Sequence, residues 1–117
     1  MTEKPLVSIV IVNYKVKDLL HACLKSVYGF TTISVETFVV DNDSGDGTGE
    51  MLKKEFPEVH FIENNFNAGF PAANNQALKH CRGEYILLLN PDTEFINDCI
   101  PEMIAFSKTK KDVCIRG

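Results

Sequence analysis

Residues 6–12 run Leu-Val-Ser-Ile-Val-Ile-Val, nearly all apolar and mostly β-branched. A strand with one wet face would alternate apolar and polar positions, so this run predicts a strand buried on both faces of a parallel sheet. It stops at Asn13, and from Val16 the apolar period lengthens. Val16, Leu19, Leu20, Cys23, Leu24 and Val27 form one stripe of an amphipathic helix that ends near Gly29. The alternation then repeats, with a strand at 35–40, a loop at 41–47 and a short helix at 48–55 closed off by Pro57. A third strand covers 59–62. After an Asn-rich loop at 64–70, Pro71 takes a position favoured for a first helical residue, and 72–80 carries good helix formers. Residues 84–89 make a fourth strand. A fourth helix starts near Asp98, with Pro101 in its first turn and Ile100, Met103, Ile104 and Phe106 along it, and a fifth strand begins at Val113.

Strands alternating with helices through short connections predict an α/β fold. Its sheet, mainly parallel and of about five strands, has right-handed crossovers and helices on both faces. Ligands of such sheets bind beyond the carboxyl ends of the strands, where the strand order reverses. The four segments that follow strands one to four therefore become the candidate site. They are Asn13-Tyr14-Lys15, residues 41–47, residues 64–70 and Asn90-Pro91-Asp92-Thr93-Glu94.

Each segment also has a plainer reading. Residues 41–47 hold three aspartates and two glycines, a composition that ordinary turns favour. A calcium loop is ruled out by spacing, since Gly45 stands fifth from Asp41 and Leu52 twelfth, where a ligand and a bidentate glutamate belong. A dinucleotide fingerprint is ruled out as well, because Gly45-x-Gly47-x-Gly49 has the wrong spacing and follows the second strand. The 64–70 segment is a structured turn ahead of a helix, or an amide-rich helix start suited to ribose or phosphate oxygens. Asn74 and Asn75 fall inside that helix; solvent exposure accounts for one of them and leaves a hydrogen-bonding role for the other. Asn90-Pro91-Asp92 ends the most hydrophobic strand, where Asp92 is either a turn cap or a ligand for a hard divalent cation.

Composition narrows the partners. At 117 residues, 44% hydrophobic and 24% charged, the chain makes one domain spanning 1–117. Its net charge of -4 opposes binding to nucleic acid or anionic lipid, so a phosphorylated ligand would need a bridging cation. Cys23, Cys81, Cys99 and Cys114 lie at long irregular intervals without zinc-ligand spacing and read as reduced thiols. The amino terminus lacks the apolar core of a signal peptide, and the longest apolar run, 85–89, is too short to span a bilayer, which predicts a cytoplasmic domain. His21, His60 and His80 have no partner at ligand spacing, and Phe95 and Phe106 read as core. Lys108-Thr109-Lys110-Lys111 suits a solvated helix end.

Taken together and in order, four motifs resemble family 2 glycosyltransferases, in particular the rhamnosyltransferase-like members. They are Val7-Ser8-Ile9-Val10-Ile11-Val12-Asn13-Tyr14, then Val39-Val40-Asp41-Asn42-x-Ser44-x-Asp46-Gly47-Thr48, then Asn67-x-Gly69-Phe70, then Leu88-Leu89-Asn90-Pro91-Asp92. The resemblance covers nearly the whole chain and implies the Rossmann-like, nucleotide-sugar-binding half of a GT-A domain, cut short at its carboxyl end. It implies a donor site drawn from Asn13, Tyr14, Asp41, Asn42, Asn67, Gly69, Asn74 and Asn90. Within it, Asn13 and Tyr14 line the nucleotide pocket and Asp41 contacts a uracil or thymine base. Asp92 matches the last aspartate of the Asp-x-Asp motif and becomes the ligand of a magnesium or manganese ion bound with the diphosphate. Asn90 stands at that motif's first position, a departure that weakens the metal site; Glu94 is a candidate helper.

The implied activity of the longer natural protein is inverting sugar transfer from a nucleoside-diphosphate sugar to a saccharide or lipid-linked acceptor. Its catalytic base is expected beyond Gly117, so that this chain alone is inactive, and membrane association through further segments stays open. A non-catalytic nucleotide-binding or interaction module on the same fold is the alternative. A sugar nucleotidyltransferase would need a Gly-rich basic loop after the first strand, which Asn13-Tyr14-Lys15-Val16 is not. A cut-short parallel sheet leaves a raw edge, which predicts self-association.

Overall fold

A computed structural model describes residues 4–109. Strands and helices alternate strictly: β1 (Val7–Asn13), α1 (Lys17–Phe30), β2 (Val35–Asn42), α2 (Thr48–Glu55), β3 (His60–Asn64), α3 (Phe70–Leu78), β4 (Tyr85–Leu89) and α4 (Ile100–Thr109). The described strands form one wholly parallel sheet in the order β3-β2-β1-β4. The expected count of about five therefore becomes four among the described residues, and the strand expected from Val113 lies outside them. The order reverses between β1 and β4. This places the switch point beside Asn13, which stands two residues past the Ile11–Leu89 register pair.

Strand parity sorts the core into two layers. Val7, Ile9 and Ile11 of β1 pack with Val39, Leu87 and Leu89 against Leu20, Cys23, Leu24 and Val27 of α1, Leu52 of α2 and Ile100 of α4. Val10 and Val12, with Phe38 and Val40, face Ala73 and Ala77 of α3 on the other side. Both faces of β1 are thus covered, as its unbroken apolar run requires. Leu20, Leu24 and Val27 are fully buried, each contributing about 2 kcal/mol of apolar burial. Leu19, expected on the same stripe, lies on its solvent flank and is 47% exposed. The buried set, at spacing i, i+3, i+4, i+7, is complete without it.

β1, β2 and β3 each run further than their apolar stretches suggest, through Asn13, Asn42 and Asn64. Pairing continues over these polar ends because Asn13 faces Asp41 and Asn42 faces Asn64 in register, and each pair is joined by a side-chain hydrogen bond. β3 starts at His60 rather than Val59, α3 starts at Phe70, one residue before Pro71, and α4 starts at Ile100, two residues after Asp98. Cys23, Cys81 and Cys99 are free thiols. Among the described residues no helix is long and apolar enough to cross a membrane.

Candidate functional site

At the carboxyl end of the β1–β2 pair, on the face covered by α1 and α2, Asn13 Nδ2 donates to Asp41 Oδ1 at 2.8 Å. The same amide nitrogen lies 3.3 Å from Ser44 Oγ and 3.2 Å from Thr48 Oγ1. Asp41 is 3% exposed and also accepts from the backbone N–H and the hydroxyl of Ser44, at 3.0 and 2.6 Å. Ser44 Oγ receives the Lys15 N–H at 2.7 Å, which holds Lys15 in a left-handed conformation (φ 57°) that non-glycine residues seldom adopt. The 41–47 segment is therefore a turn, and its polar side chains are also gathered at the switch point. Tyr14 projects from the same corner, 46% exposed, with the Lys15 ammonium 5.2 Å from its ring centroid.

The opposite face holds a second amide network. Asn42 Oδ1 accepts from Asn64 Nδ2 and the Ala68 N–H, while its Nδ2 donates to the Gly69 carbonyl. Asn64 and Gln76 form a reciprocal amide pair, both bonds 2.8 Å. Asn42 is 2% exposed and spends its side chain on shaping the loop before α3. Asn67 is exposed and caps the Gly69 N–H at 2.9 Å. Gly69 sits at φ 84°, ψ 166°, a region open essentially to glycine alone. Of the two helical asparagines, Asn75 is exposed and Asn74 is buried at 6% exposure.

Two buried acceptors at this end have no donor: Asn13 Oδ1 and Asn74 Oδ1. A buried carbonyl oxygen left unpaired costs about 1–3 kcal/mol.

Beyond β4, a turn closed by the Thr93 N–H on the Asn90 carbonyl at 3.1 Å carries Asp92. Asn90 and Asp92 are exposed, and the Asp92 carboxylate makes no hydrogen bond or ion pair among the described residues. Beneath the turn the Cys23 thiol points at the Asn90 carbonyl, 3.9 Å away. Burial pushes this thiol up to about 12, with the Asp92 and Glu94 carboxylates adding to the shift, so it stays protonated and unreactive. No three His, Cys, Asp or Glu side chains gather into a metal-holding group among the described residues. The donor set is one free, hard carboxylate. That suits magnesium or manganese only when phosphate oxygens and water supply the other positions.

A cavity of about 470 Å³ opens beside Asp41, at the carboxyl ends of β2 and β3. Residues 45–50 wall it on one side, and Lys53, Phe61 and Glu63 on the other. These last three escape sequence reasoning. The register pairs Val39 with Phe61 and Asp41 with Glu63, so strand parity puts both β3 side chains on the Asp41 face, and only the pairing reveals it. Of the expected residues, Asn13, Asp41 and Tyr14 come together at one corner, and the turn bearing Asn90 and Asp92 leaves the neighbouring strand. Asn42, Asn67 and Gly69 form the loop that begins α3.

Residues 8–116 match the family described as Glycosyl transferase family 2. The chain belongs to that family. Among the relatives of this glycosyltransferase domain is the Escherichia coli UDP-Glc:alpha-D-GlcNAc-diphosphoundecaprenol beta-1,3-glucosyltransferase WfaP, 34% identical over 91% of the chain and 43% of the relative. Another is the Bacillus spizizenii poly(ribitol-phosphate) beta-glucosyltransferase, 35% identical over 87% of the chain and 17% of the relative. The glycosyltransferase chain thus spans less than half the length of either. Its fold matches that of Staphylococcus aureus TarS 1-349 in complex with UDP, with a TM-score of 0.75, 24% identity, and coverage of 90% of the chain and 32% of TarS. It likewise matches the Pyrobaculum calidifontis mannosyltransferase PcManGT in complex with GDP-Man and Mn2+, with a TM-score of 0.73, 24% identity, and coverage of 84% and 30%. The GT-A, Rossmann-like half expected from the motifs is the fold observed.

Proposed function

We propose that this chain is the donor-nucleotide half of an inverting, metal-assisted glycosyltransferase. The observation that carries the reading is the open polar corner at the β1–β4 switch point. There Asn13, hydrogen-bonded to Asp41 and Ser44, keeps its buried Oδ1 unpaired, and the neighbouring strand β4 leads into a turn whose Asp92 carboxylate makes no hydrogen bond or ion pair among the described residues. Asp41, at the rim of the adjoining cavity, accepts from the N–H of a pyrimidine base, and Tyr14 offers a ring for stacking. Asn13 and Asn74 receive ligand donors, and the loop shaped by Asn42, Asn67 and Gly69 lines the ribose and diphosphate side. Asn90 flanks the diphosphate, and Asp92 holds the divalent cation. When bound there, magnesium or manganese would neutralise charge that builds on the departing diphosphate.

An acceptor hydroxyl attacks the anomeric carbon from the face opposite the diphosphate, losing its proton to a carboxylate base contributed by sequence beyond Gly117. The chain alone therefore binds donor and does not turn over. Kinship with WfaP supports a saccharide or lipid-linked acceptor, hence a cytoplasmic enzyme working at a membrane surface. β4 pairs only with β1 among the described strands, and Ile86 and Leu88 are 43% and 36% exposed, which supports self-association through that edge. Size-exclusion chromatography over a concentration series tests this, and a strict monomer throughout would refute it.

Calorimetric titration with UDP, with and without Mn2+, tests the main reading. Wild type binds UDP, manganese tightens it, and Asp92→Ala removes the manganese gain while keeping the metal-free affinity. No UDP binding by wild type would sink the donor-site reading. UDP binding that ignores manganese would sink the metal assignment and favour the non-catalytic nucleotide-binding module.

A further inference from the structure

We propose that the Ser26 hydroxyl is a positioning group for Asp92, acting from α1 through the turn that carries the carboxylate. The proposal rests on Asp92 being the metal ligand. Residues 90–99 connect β4 to α4 without a strand or helix of their own, so ladder hydrogen bonds do not fix Asp92. Its turn is instead strapped to α1 on both sides. On one side the Cys23 thiol meets the Asn90 carbonyl at 3.9 Å, a weak contact. On the other, the Phe95 N–H donates to Ser26 Oγ at 2.9 Å. Ser26 Oγ in turn donates to the Cys23 carbonyl at 2.7 Å, which commits its proton and leaves its lone pairs for Phe95. The strong strap is therefore the hydroxyl.

Cys23 and Ser26 are three residues apart, on one face of a helix whose Leu20, Cys23, Leu24 and Val27 are fully buried. The Phe95 ring is itself 6% exposed and anchored in the same core layer. The turn between the two straps thus inherits the rigidity of α1, while the Asp92 side chain stays free. A single carboxylate has no second protein ligand to correct its aim. A small divalent cation sharing that carboxylate with phosphate and water demands near-octahedral geometry, so a loosened turn weakens metal capture directly. A hydroxyl that served only the fold would show up in stability and leave the metal response alone.

UDP titrations with and without Mn2+ on wild type, Ser26→Ala, Ser26→Thr and Asp92→Ala separate these roles. Ser26→Ala is expected to cut the manganese-dependent gain in UDP affinity about five-fold, the worth of one hydrogen bond. Its metal-free UDP affinity should stay within about two-fold of wild type, and Ser26→Thr, which keeps the hydroxyl, should restore the gain. A full manganese gain in Ser26→Ala overturns the proposal. So does a parallel loss of metal-free affinity, or a chain too unstable to titrate, since either makes the hydroxyl architectural. A wild type without a manganese gain, or a gain that survives Asp92→Ala, overturns the Asp92 reading itself. A gain abolished by Asp92→Ala yet intact in Ser26→Ala overturns only the role of Ser26.

Discussion

Ser8 faces Glu36 near one end of the β1–β2 pair, and Asn13 faces Asp41 at the other, in the same register. Both pairs are buried and polar, yet they are finished differently. Glu36 Oε2 accepts from the Ser8 hydroxyl at 2.5 Å and the Arg82 N–H at 2.6 Å, and Ser8 Oγ accepts from the Gly83 N–H at 2.8 Å. The Arg82 guanidinium closes over Glu36 Oε1 at 3.4 Å, and no buried side-chain atom of Ser8 or Glu36 lacks a partner. This network ties the connection between α3 and β4 into the sheet. At the other end Asn13 Oδ1 and Asn74 Oδ1 remain unpaired. A closed polar network specifies architecture; the unpaired acceptors belong to the end where the donor nucleotide is proposed to bind.

Lesions at the two ends should therefore separate stability from binding. The largest stability effect is expected from Gly83→Ala, because a Cβ there would stand 2.5 Å from the Ser8 backbone nitrogen and 2.8 Å from the Val7 carbonyl carbon. The clash is with the Val7–Ser8 peptide bond of β1 itself, which cannot move aside as a flexible side chain would, so the loss should be about 3 kcal/mol in a urea titration. UDP affinity of the folded protein should stay within about two-fold of wild type. Asp41→Asn should do the reverse. It keeps the shape of the corner but weakens the acceptor that serves Asn13 and Ser44 and is proposed to serve the base, so UDP affinity should fall about ten-fold or more, with about 1 kcal/mol of stability lost. Unchanged UDP affinity in Asp41→Asn, or an equal loss in Gly83→Ala, would break the distinction between the ends.

The elements were legible because the period of apolar positions changes cleanly, from the continuous run at β1 to the 20, 23, 24, 27 spacing of α1. The strand ends were not. Asn13, Asp41, Asn42 and Asn64 have loop composition, and only their pairing across the sheet keeps them in register. The four candidate loops followed from the topology, and Asp92 does lie in the turn after β4, but that strand is buried on one face only, with Ile86 and Leu88 exposed on the other. What stayed hidden depends on contacts between distant segments: Phe61 and Glu63 beside Asp41, or Ser26 under Phe95, 69 residues apart. Asn74 and Asn75 illustrate the limit within a single helix. Composition shows that one of two adjacent asparagines is surplus to solvation, and the rotation of α3 against the sheet decides which.

The smallest expected effect sharpens the account of the closed end. Burial alone would raise the Glu36 carboxyl, but the Arg82 N–H, the Ser8 hydroxyl and the Arg82 guanidinium outweigh it and hold the group below its ordinary value of 4.5. A carboxyl depressed in the folded state contributes stability that is complete above that ordinary value and is lost as pH falls below it, through the folded value. Wild type should therefore lose urea resistance progressively as pH drops from 6 to 3. Glu36→Gln, less stable at pH 6 for want of the charge-assisted bonds, should lose less over the same interval, so the two curves converge on acidification. Parallel curves would mean that the ionised carboxylate contributes nothing to the closure, and the neutral hydrogen bonds would then account for the whole of it. Metal-free UDP binding offers the cross-check, since Glu36→Gln at pH 6 acts at the end of the sheet away from the ligand and should leave that affinity unchanged.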